Sequence, residues 1–341
     1  MNLLQQDLNQ GEGFLRPGGQ GDAFIRQRTR HFRLDHPAVT LLLFCTTFFT
    51  TTVAGVQWLN QNPFDLSNFA LGLPYSVSLL FVLASHEFGH YFASMYHGVK
   101  ATLPFFIPFP VTEGFLNFGT LGAVIRTKSP VPSRRAMFDI GVTGPIAGFV
   151  ASLLVLSVGF LTVPDISYLY HIHPEYRSMP ALPPDGLTFG GTILYNSLEY
   201  LFRPFVHGFI PPMNEIYHYP FLCVGWFGLF VTAMNLLPVG QLDGGHIIYG
   251  MFGGRHRVVA RIALGLIIAM GLLGFLPLIG LKAYGWTGWL FWALILLFIV
   301  KIDHPPIDDP VDLGPGRMAV GWAAIVILIL SFSVAPFSLP V

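Results

Sequence analysis

Charge is what this chain has least of. Lys, Arg, Asp and Glu make up 11% of its 341 residues, whereas a soluble globular domain carries about a quarter, so an ordinary soluble domain is excluded. The 18 basic and 18 acidic residues cancel, which removes the net charge that nucleic acid or an acidic polymer would select, and no nucleic-acid partner is expected. Cysteine is almost absent: Cys45 and Cys223 both fall inside apolar runs, where a thiol acts as a small hydrophobe, so neither a disulfide framework nor a cysteine zinc site is available. There is no internal repeat and no pair of inverted halves with broken helices of the kind many transporters show. The first 37 residues have no apolar core and resemble neither a secretory signal nor a transit peptide. With five arginines among Gln, Gly and Asp, residues 1–37 are expected to be a disordered cytosolic arm.

What is present is apolar residues, 53% of the chain, gathered into long runs. Crossing a hydrocarbon core of about 30 Å takes around 20 helical residues, and stretches of that order occur near 38–58, 72–96, 137–163, 220–238, 258–278, 284–301 and 318–338. The expectation is an all-α polytopic membrane protein of about seven transmembrane helices. Its membrane domain is 38–338, its catalytic core about 70–300, and 339–341 is a C-terminal tail. Cytoplasmic flanks of membrane spans carry the excess of Lys and Arg. With the N-terminus inside and seven alternating spans, only Arg177, Arg203 and Lys282 fall outside, which also places the C-terminus outside. The external segment 164–219 is short for a folded binding module. Its Pro-rich start reads as loop, and 186–210 as an aromatic helix at the membrane surface.

Late in the second run stands Ser85-His86-Glu87-Phe88-Gly89-His90, an H-E-x-x-H pattern. On a helix, positions i and i+4 share a face, so both imidazoles can reach one metal ion while Glu87 lies beside them, able to address a water. Such five-residue patterns also arise by chance. Inside a membrane helix, however, two histidines and a glutamate cost several kcal/mol unless they have partners or a function. A two-histidine zinc site needs a third protein ligand. Asp139, close to Arg134 and Arg135 at the start of the third span, reads more simply as a cap or ion-pair partner. Asp243 closes Asn235-Leu236-Leu237-Pro238-Val239-Gly240-Gln241-Leu242-Asp243, at the cytosolic end of the fourth span and level with the histidines. Pro238 removes a backbone donor, and with Gly240, Gly244 and Gly245 it lets the chain leave helical form there.

His86-Glu87-x-x-His90, followed by Asn235-x-x-Pro238-x-x-x-Leu242-Asp243-Gly244, resembles the site-2 protease family of intramembrane zinc metalloproteases, in the bacterial and plastid-like variety that lacks a PDZ insertion. Gly119-Thr120-Leu121-Gly122-Ala123, Pro132-Ser133-Arg134-Arg135, Phe138-Asp139-Ile140-Gly141 and Gly144-Pro145-Ile146-Ala147-Gly148 agree, in order, over about 70–300. One departure is Pro238-Val239-Gly240, where the family usually has Pro-x-Pro. The resemblance implies one Zn2+ per chain held by His86, His90 and Asp243, with Glu87 as the catalytic carboxylate and Asn235 helping to stabilise the oxyanion. It also implies a small membrane-associated β-hairpin element within 101–126 that presents an extended substrate. The substrates it implies are membrane proteins with a transmembrane helix, cut within or near the cytosolic leaflet of the lipid bilayer. A bacterial inner membrane is the expected location, and nothing in the sequence points to an oligomeric state.

The same chemistry follows from the residues. Zinc lowers the pKa of a water it holds to about 7, and Glu87 is placed to act as general base and then acid. Asn235, an amide deep in a span, can donate to an oxyanion or make an interhelical hydrogen bond. The alternative from another class is a metal transporter or metal-binding protein with His86, His90 and Asp243 as a transit site. It requires further ligands along a path, and the fifth to seventh runs contain no His, Asp or Glu. Other polar groups read more plainly. His246 is expected at the surface and His97 at the interface, and the external His171 and His173 pair belongs to a loop. The acids from Asp303 to Asp312 read as a solvated cytosolic loop. Phe105, Phe106, Phe109, Phe115 and Phe118 read as a lipid-facing or substrate-facing surface, and Gly144 and Gly148 as a helix-packing pair.

Overall fold

The computed structural model describes residues 36–110, 117–304 and 312–338. Residues 1–35 of the expected N-terminal arm, the C-terminal tail, Phe115, Asp308 and Asp309 lie outside them, while Pro37, the last residue of that arm, opens the first helix. The described chain is mostly helical: α1 Pro37–Trp58, α2 Leu73–Tyr96, α3 Arg134–Leu161, α4 Ile166–Ile172, α5 Ile193–Phe202, α6 Pro220–Asn235, α7 Asp243–Phe252, α8 His256–Leu273, α9 Gly288–Ile295 and α10 Pro315–Ser331. Strands β1 Phe105–Pro108 and β2 Thr120–Val124 form one antiparallel pair, and β3 Thr188–Phe189 and β4 Phe337–Ser338 another.

Among the described residues four helical stretches are long and apolar enough to cross a membrane: Pro37–Trp58, Leu66–Tyr96, Arg134–Leu161 and Asp243–Leu273. Pro220–Asn235, Gly288–Val300 and Pro315–Ser331 are apolar but shorter. The 16 residues of α6, at about 1.5 Å of rise each, fall short of a 30 Å core. α6 stops at Asn235 rather than at 238 because the chain turns through 236–242 to reach α7. Gly240 makes that turn possible. Its φ is +55, a value that suits glycine, and an added Cβ would run into the Lys301 carbonyl.

Within a bilayer, helices gain little from hiding apolar surface from lipid, so close packing and hydrogen bonds hold them together. Small residues line the seams accordingly: Gly228 of α6 meets Ser152 of α3, and Gly225 meets Leu156. Thr51 of α1 shares a 2.6 Å hydrogen bond with Ser76 of α2. Large apolar side chains such as Leu42, Phe92, Leu154, Ile262 and Phe298 point outward, as lipid-facing surfaces do.

Asp139 of α3 accepts two 2.8 Å hydrogen bonds from Arg317 of α10 and lies 2.9 Å from His97 at the end of α2. These helix ends therefore share one face. Asp139 is an ion-pair partner as expected, paired with Arg317 rather than with its sequence neighbours Arg134 and Arg135. On another face β4 pairs with β3, which sets 337–338 beside the 164–219 segment, and Trp226 Nε1 donates to the Gly190 carbonyl at 2.8 Å.

Two readings of the loops need correction. The Pro-rich start from His173 is not all loop: it opens on a 3-10 turn at Pro174–Ser178, directly after α4, which Asp165 caps through a 2.7 Å bond from the Ser167 amide. The aromatic helix there, α5, begins later than 186 because Thr192 caps it by accepting from the Tyr195 amide. The Phe surface is also divided. Phe106 is buried edge-on against Phe44 of α1, and Phe118 stacks at 4.2 Å on Phe227 of α6, so these rings anchor the hairpin to protein rather than to lipid.

Candidate metal centre

α2 carries His86, Glu87 and His90 in its second half, all three buried. The two imidazoles face one way, with Nε2 atoms 3.1 Å apart. Asp243 opens α7 and brings Oδ2 to 3.4 Å from His86 Nε2 and 3.3 Å from His90 Nε2. His90 Nδ1 lies 2.7 Å from the Ile140 carbonyl. A carbonyl only accepts, so Nδ1 bears the hydrogen and Nε2 presents a lone pair to the shared centre.

α3 makes room for these rings. A Cβ at Gly144 would run into the His90 imidazole, and one at Gly148 would stand 3.1 Å from His86 Nδ1. The G-x-x-x-G pair is a packing motif as expected, and what it packs against is the two histidines themselves. Asn235, at the last turn of α6, sets Nδ2 3.3 Å from His86 Nε2.

The centre opens into a cavity of about 370 Å³ lined by His86, Glu87, His90, Asn235, Asp243 and Ile125, among others. The hairpin walls its far side. Thr50 of α1 donates to the Gly119 carbonyl at 2.7 Å, and Thr120 donates to the Ile107 carbonyl at 2.8 Å. These bonds fix β2 so that Ala123, Val124 and Ile125 face the cavity.

Residues 74–276 match Peptidase family M50, which is more than half of the sequence. The chain belongs to peptidase family M50. "Probable zinc metalloprotease EGY1, chloroplastic" of Arabidopsis thaliana is 29% identical over 262 residues, 76% of this chain and 42% of that protein. The protein of the same name from Oryza sativa subsp. japonica is 31% identical over 265 residues, 76% of this chain and 40% of that one. "Probable zinc metalloprotease EGY2, chloroplastic" of Arabidopsis thaliana is 25% identical over 296 residues, 84% of this chain and 45% of that one. This M50 chain therefore spans less than half the length of these relatives. They are named as chloroplastic, so the expected bacterial inner membrane finds no support in them, while the long apolar helices agree with a membrane protein.

Sequence reasoning missed part of the surroundings of this M50 site. His246 is half-buried and lines the cavity rather than the surface, and its Nδ1 lies 2.7 Å from Nε2 of the buried His304. His304 sat unnoticed in the acidic Pro-flanked stretch after α9. No local signal marked it: Gly240, five residues past the end of α6, donates to the Ile302 carbonyl, a fold contact with no mark in composition. α8 also begins at the buried His256, two residues before the expected span, and its ring stands 6.0 Å from that of His304.

Proposed function

We propose that this M50 chain is an intramembrane zinc metalloendopeptidase that hydrolyses peptide bonds in transmembrane segments of other membrane proteins. The observation that carries the reading is the convergence of His86 Nε2, His90 Nε2 and Asp243 Oδ2 within 3.4 Å of one another, with Glu87 beside them in an open cavity. The donor set fits zinc: two imidazoles and a carboxylate are common ligands, and bonds of about 2.0–2.2 Å in a tetrahedral arrangement leave donors about 3.3 Å apart. Zn2+ bound there supplies a Lewis acid that acidifies a water and polarises a carbonyl.

The remaining steps belong to the protein. The Glu87 carboxylate takes a proton from the attacking water and returns it to the amine nitrogen as the peptide C–N bond breaks. Asn235 Nδ2 donates to the oxygen on which negative charge develops. The Ile140 carbonyl keeps the hydrogen of His90 on Nδ1. Peptide bonds in an intact helix are shielded and hydrogen-bonded, so a substrate span must unwind before attack. β2 offers a main-chain partner for the unwound stretch, because Val124 and Ile125 border the cavity and an extended peptide adds readily to a strand edge. Substrate helices containing Gly or Pro unwind most easily and are the expected class. The active site lies toward the cytosolic side, with the N-terminus cytosolic, as the Lys/Arg distribution supports.

The test is elemental analysis of detergent-purified wild type and Glu87→Gln, with cleavage of a single-span substrate carrying a Gly/Pro-containing helix measured in parallel. Zinc in both with cleavage only by wild type is the expected result. Cleavage by Glu87→Gln at the wild-type rate, or no zinc in wild type, would sink the reading.

A further inference from the structure

The external His-x-His, read from sequence as loop, has partners that arrive forty residues later. His173 Nε2 lies 3.0 Å from His218 Nε2, and Glu215 Oε2 lies 3.6 Å from His218 Nε2. His218 and Glu215 are buried. The three donor atoms all lie within 4.8 Å of one another.

The hydrogen bonds around these groups determine which atoms carry hydrogen. His218 Nδ1 is 2.6 Å from the Trp58 carbonyl, an acceptor, so Nδ1 donates and Nε2 keeps a lone pair. His173 Nδ1 is 3.0 Å from Glu175 Oε1, on an exposed carboxylate that is ionised at neutral pH, so its Nδ1 donates too. The His173 ring is further held by stacking on Tyr176 at 4.5 Å. With both Nδ1 atoms donating, each ring in its neutral form turns the Nε2 lone pair toward the other, and Glu215 Oε2 lies beside them. Glu215 is oriented by Tyr176, whose hydroxyl donates to Oε1 at 3.1 Å, while buried Oε2 has no hydrogen-bond partner. A carboxylate oxygen left bare in a buried site is costly, and a cation seated among the three donors relieves it.

We propose that His173, Glu215 and His218 form a second metal site, separate from the one on α2, that takes a divalent transition ion of the zinc class. Carbonyl, carboxylate and hydroxyl groups hold each ligand from behind, as the outer contacts of metal-binding histidines and carboxylates do. Two imidazoles and a carboxylate select zinc-like ions over calcium or magnesium, which prefer all-oxygen sites. A cavity of about 290 Å³ bordered by Trp58, Asn117 and Tyr217 touches both histidines and leaves room for water in a fourth position. The ion joins three stretches far apart in sequence: the end of α1 through Trp58, the turn after α4 through His173, and the approach to α6 through Glu215 and His218. It clamps the 164–219 segment to the helix ends on that face. This inference does not depend on the peptidase reading.

The test uses the full chain in detergent, stripped with a chelator, loaded with Zn2+ or Co2+ and dialysed, with metal counted by elemental analysis and cobalt ligand-field absorption. Wild type is expected to hold two equivalents, His173→Ala one, His90→Ala one, and the double variant none. The His90→Ala protein leaves the second site untouched, so it reports on that site even if His173→Ala fails to fold or the α2 site binds nothing. A His90→Ala protein that retains no metal, or a folded His173→Ala protein that still holds two equivalents, would overturn the proposal.

Discussion

The α2 cluster and the external cluster use the same donors, two imidazole nitrogens and one carboxylate oxygen, and reach them by different routes. In the first, one helix supplies both histidines four residues apart, and the seat for their rings is carved by Gly144 and Gly148 on the neighbouring helix. In the second, each ligand comes from a turn: His173 opens a 3-10 segment, and Glu215 and His218 begin and end another. The carboxylates beside them differ more. Glu87 stands next to its histidines, faces the open cavity and is not one of the three converging donors, so it remains free to handle a proton. Glu175 hydrogen-bonds the back of His173, and Glu215 is itself one of the three donors, so no carboxylate there is left for water. The comparison teaches that a donor triad alone does not make a catalyst. A spare base and room for a substrate are what separate a reactive centre from a clamp.

Exchanging the spare base tests that distinction most severely. Glu87→Gln should lower cleavage about 10²–10⁴-fold, the usual worth of general acid–base catalysis, with zinc content unchanged. Steady-state cleavage of a single-span substrate beside elemental analysis reads both. Asn235→Ala should lower kcat about 10²–10³-fold if its amide meets the oxyanion. A drop of only a few fold, in line with one interhelical hydrogen bond of about 1 kcal/mol, would assign Asn235 a packing role instead. Filling the seat comes next: Gly144→Ala pushes a methyl group into the His90 ring and should weaken zinc binding at the α2 site about 10–100-fold, the range for disturbing the support of a ligand, as measured by competition with a chromophoric chelator. Glu175→Gln should weaken cobalt binding at the external site within that same range, and an unchanged affinity would remove Glu175 from the support of His173. At the bottom of the scale, His171→Ala should leave both metal equivalents and cleavage as they are. Its exposed ring bonds only the Ser167 carbonyl and stands outside either triad.

How far each cluster could be read in advance follows from how its residues are spaced. His86, Glu87 and His90 were legible because helical periodicity converts a five-residue pattern into a shared face. Asp243 was legible because Pro238 and the glycines around it mark a break in an apolar run, and a break at membrane depth needs a reason. His173 was visible as half of a His-x-His, but Glu215 and His218 look like ordinary loop residues, and no local period links them to position 173. The positive-charge pattern anticipated which helix ends share a face, and the Asp139–Arg317 pair lies where it pointed. It did not anticipate that α6 would be cut short, since hydropathy measures apolar length and is blind to where a turn draws the helix to a close.

Determined by the sequence alone were the apolar runs that agree with a membrane protein, the shared face of the two H-E-x-x-H histidines and the family to which the chain belongs. These depend on composition and on separations of a few residues, where backbone geometry leaves little choice. Only the tertiary structure decided that Gly144 and Gly148 seat the histidines, that His246 and His304 meet beside the centre, that Phe106 and Phe118 anchor the hairpin to protein, and that His173 meets Glu215 and His218. Those contacts join residues about forty to just over a hundred positions apart. Packing of whole helices and turns sets them, and no local rule of the chain encodes which distant partner arrives.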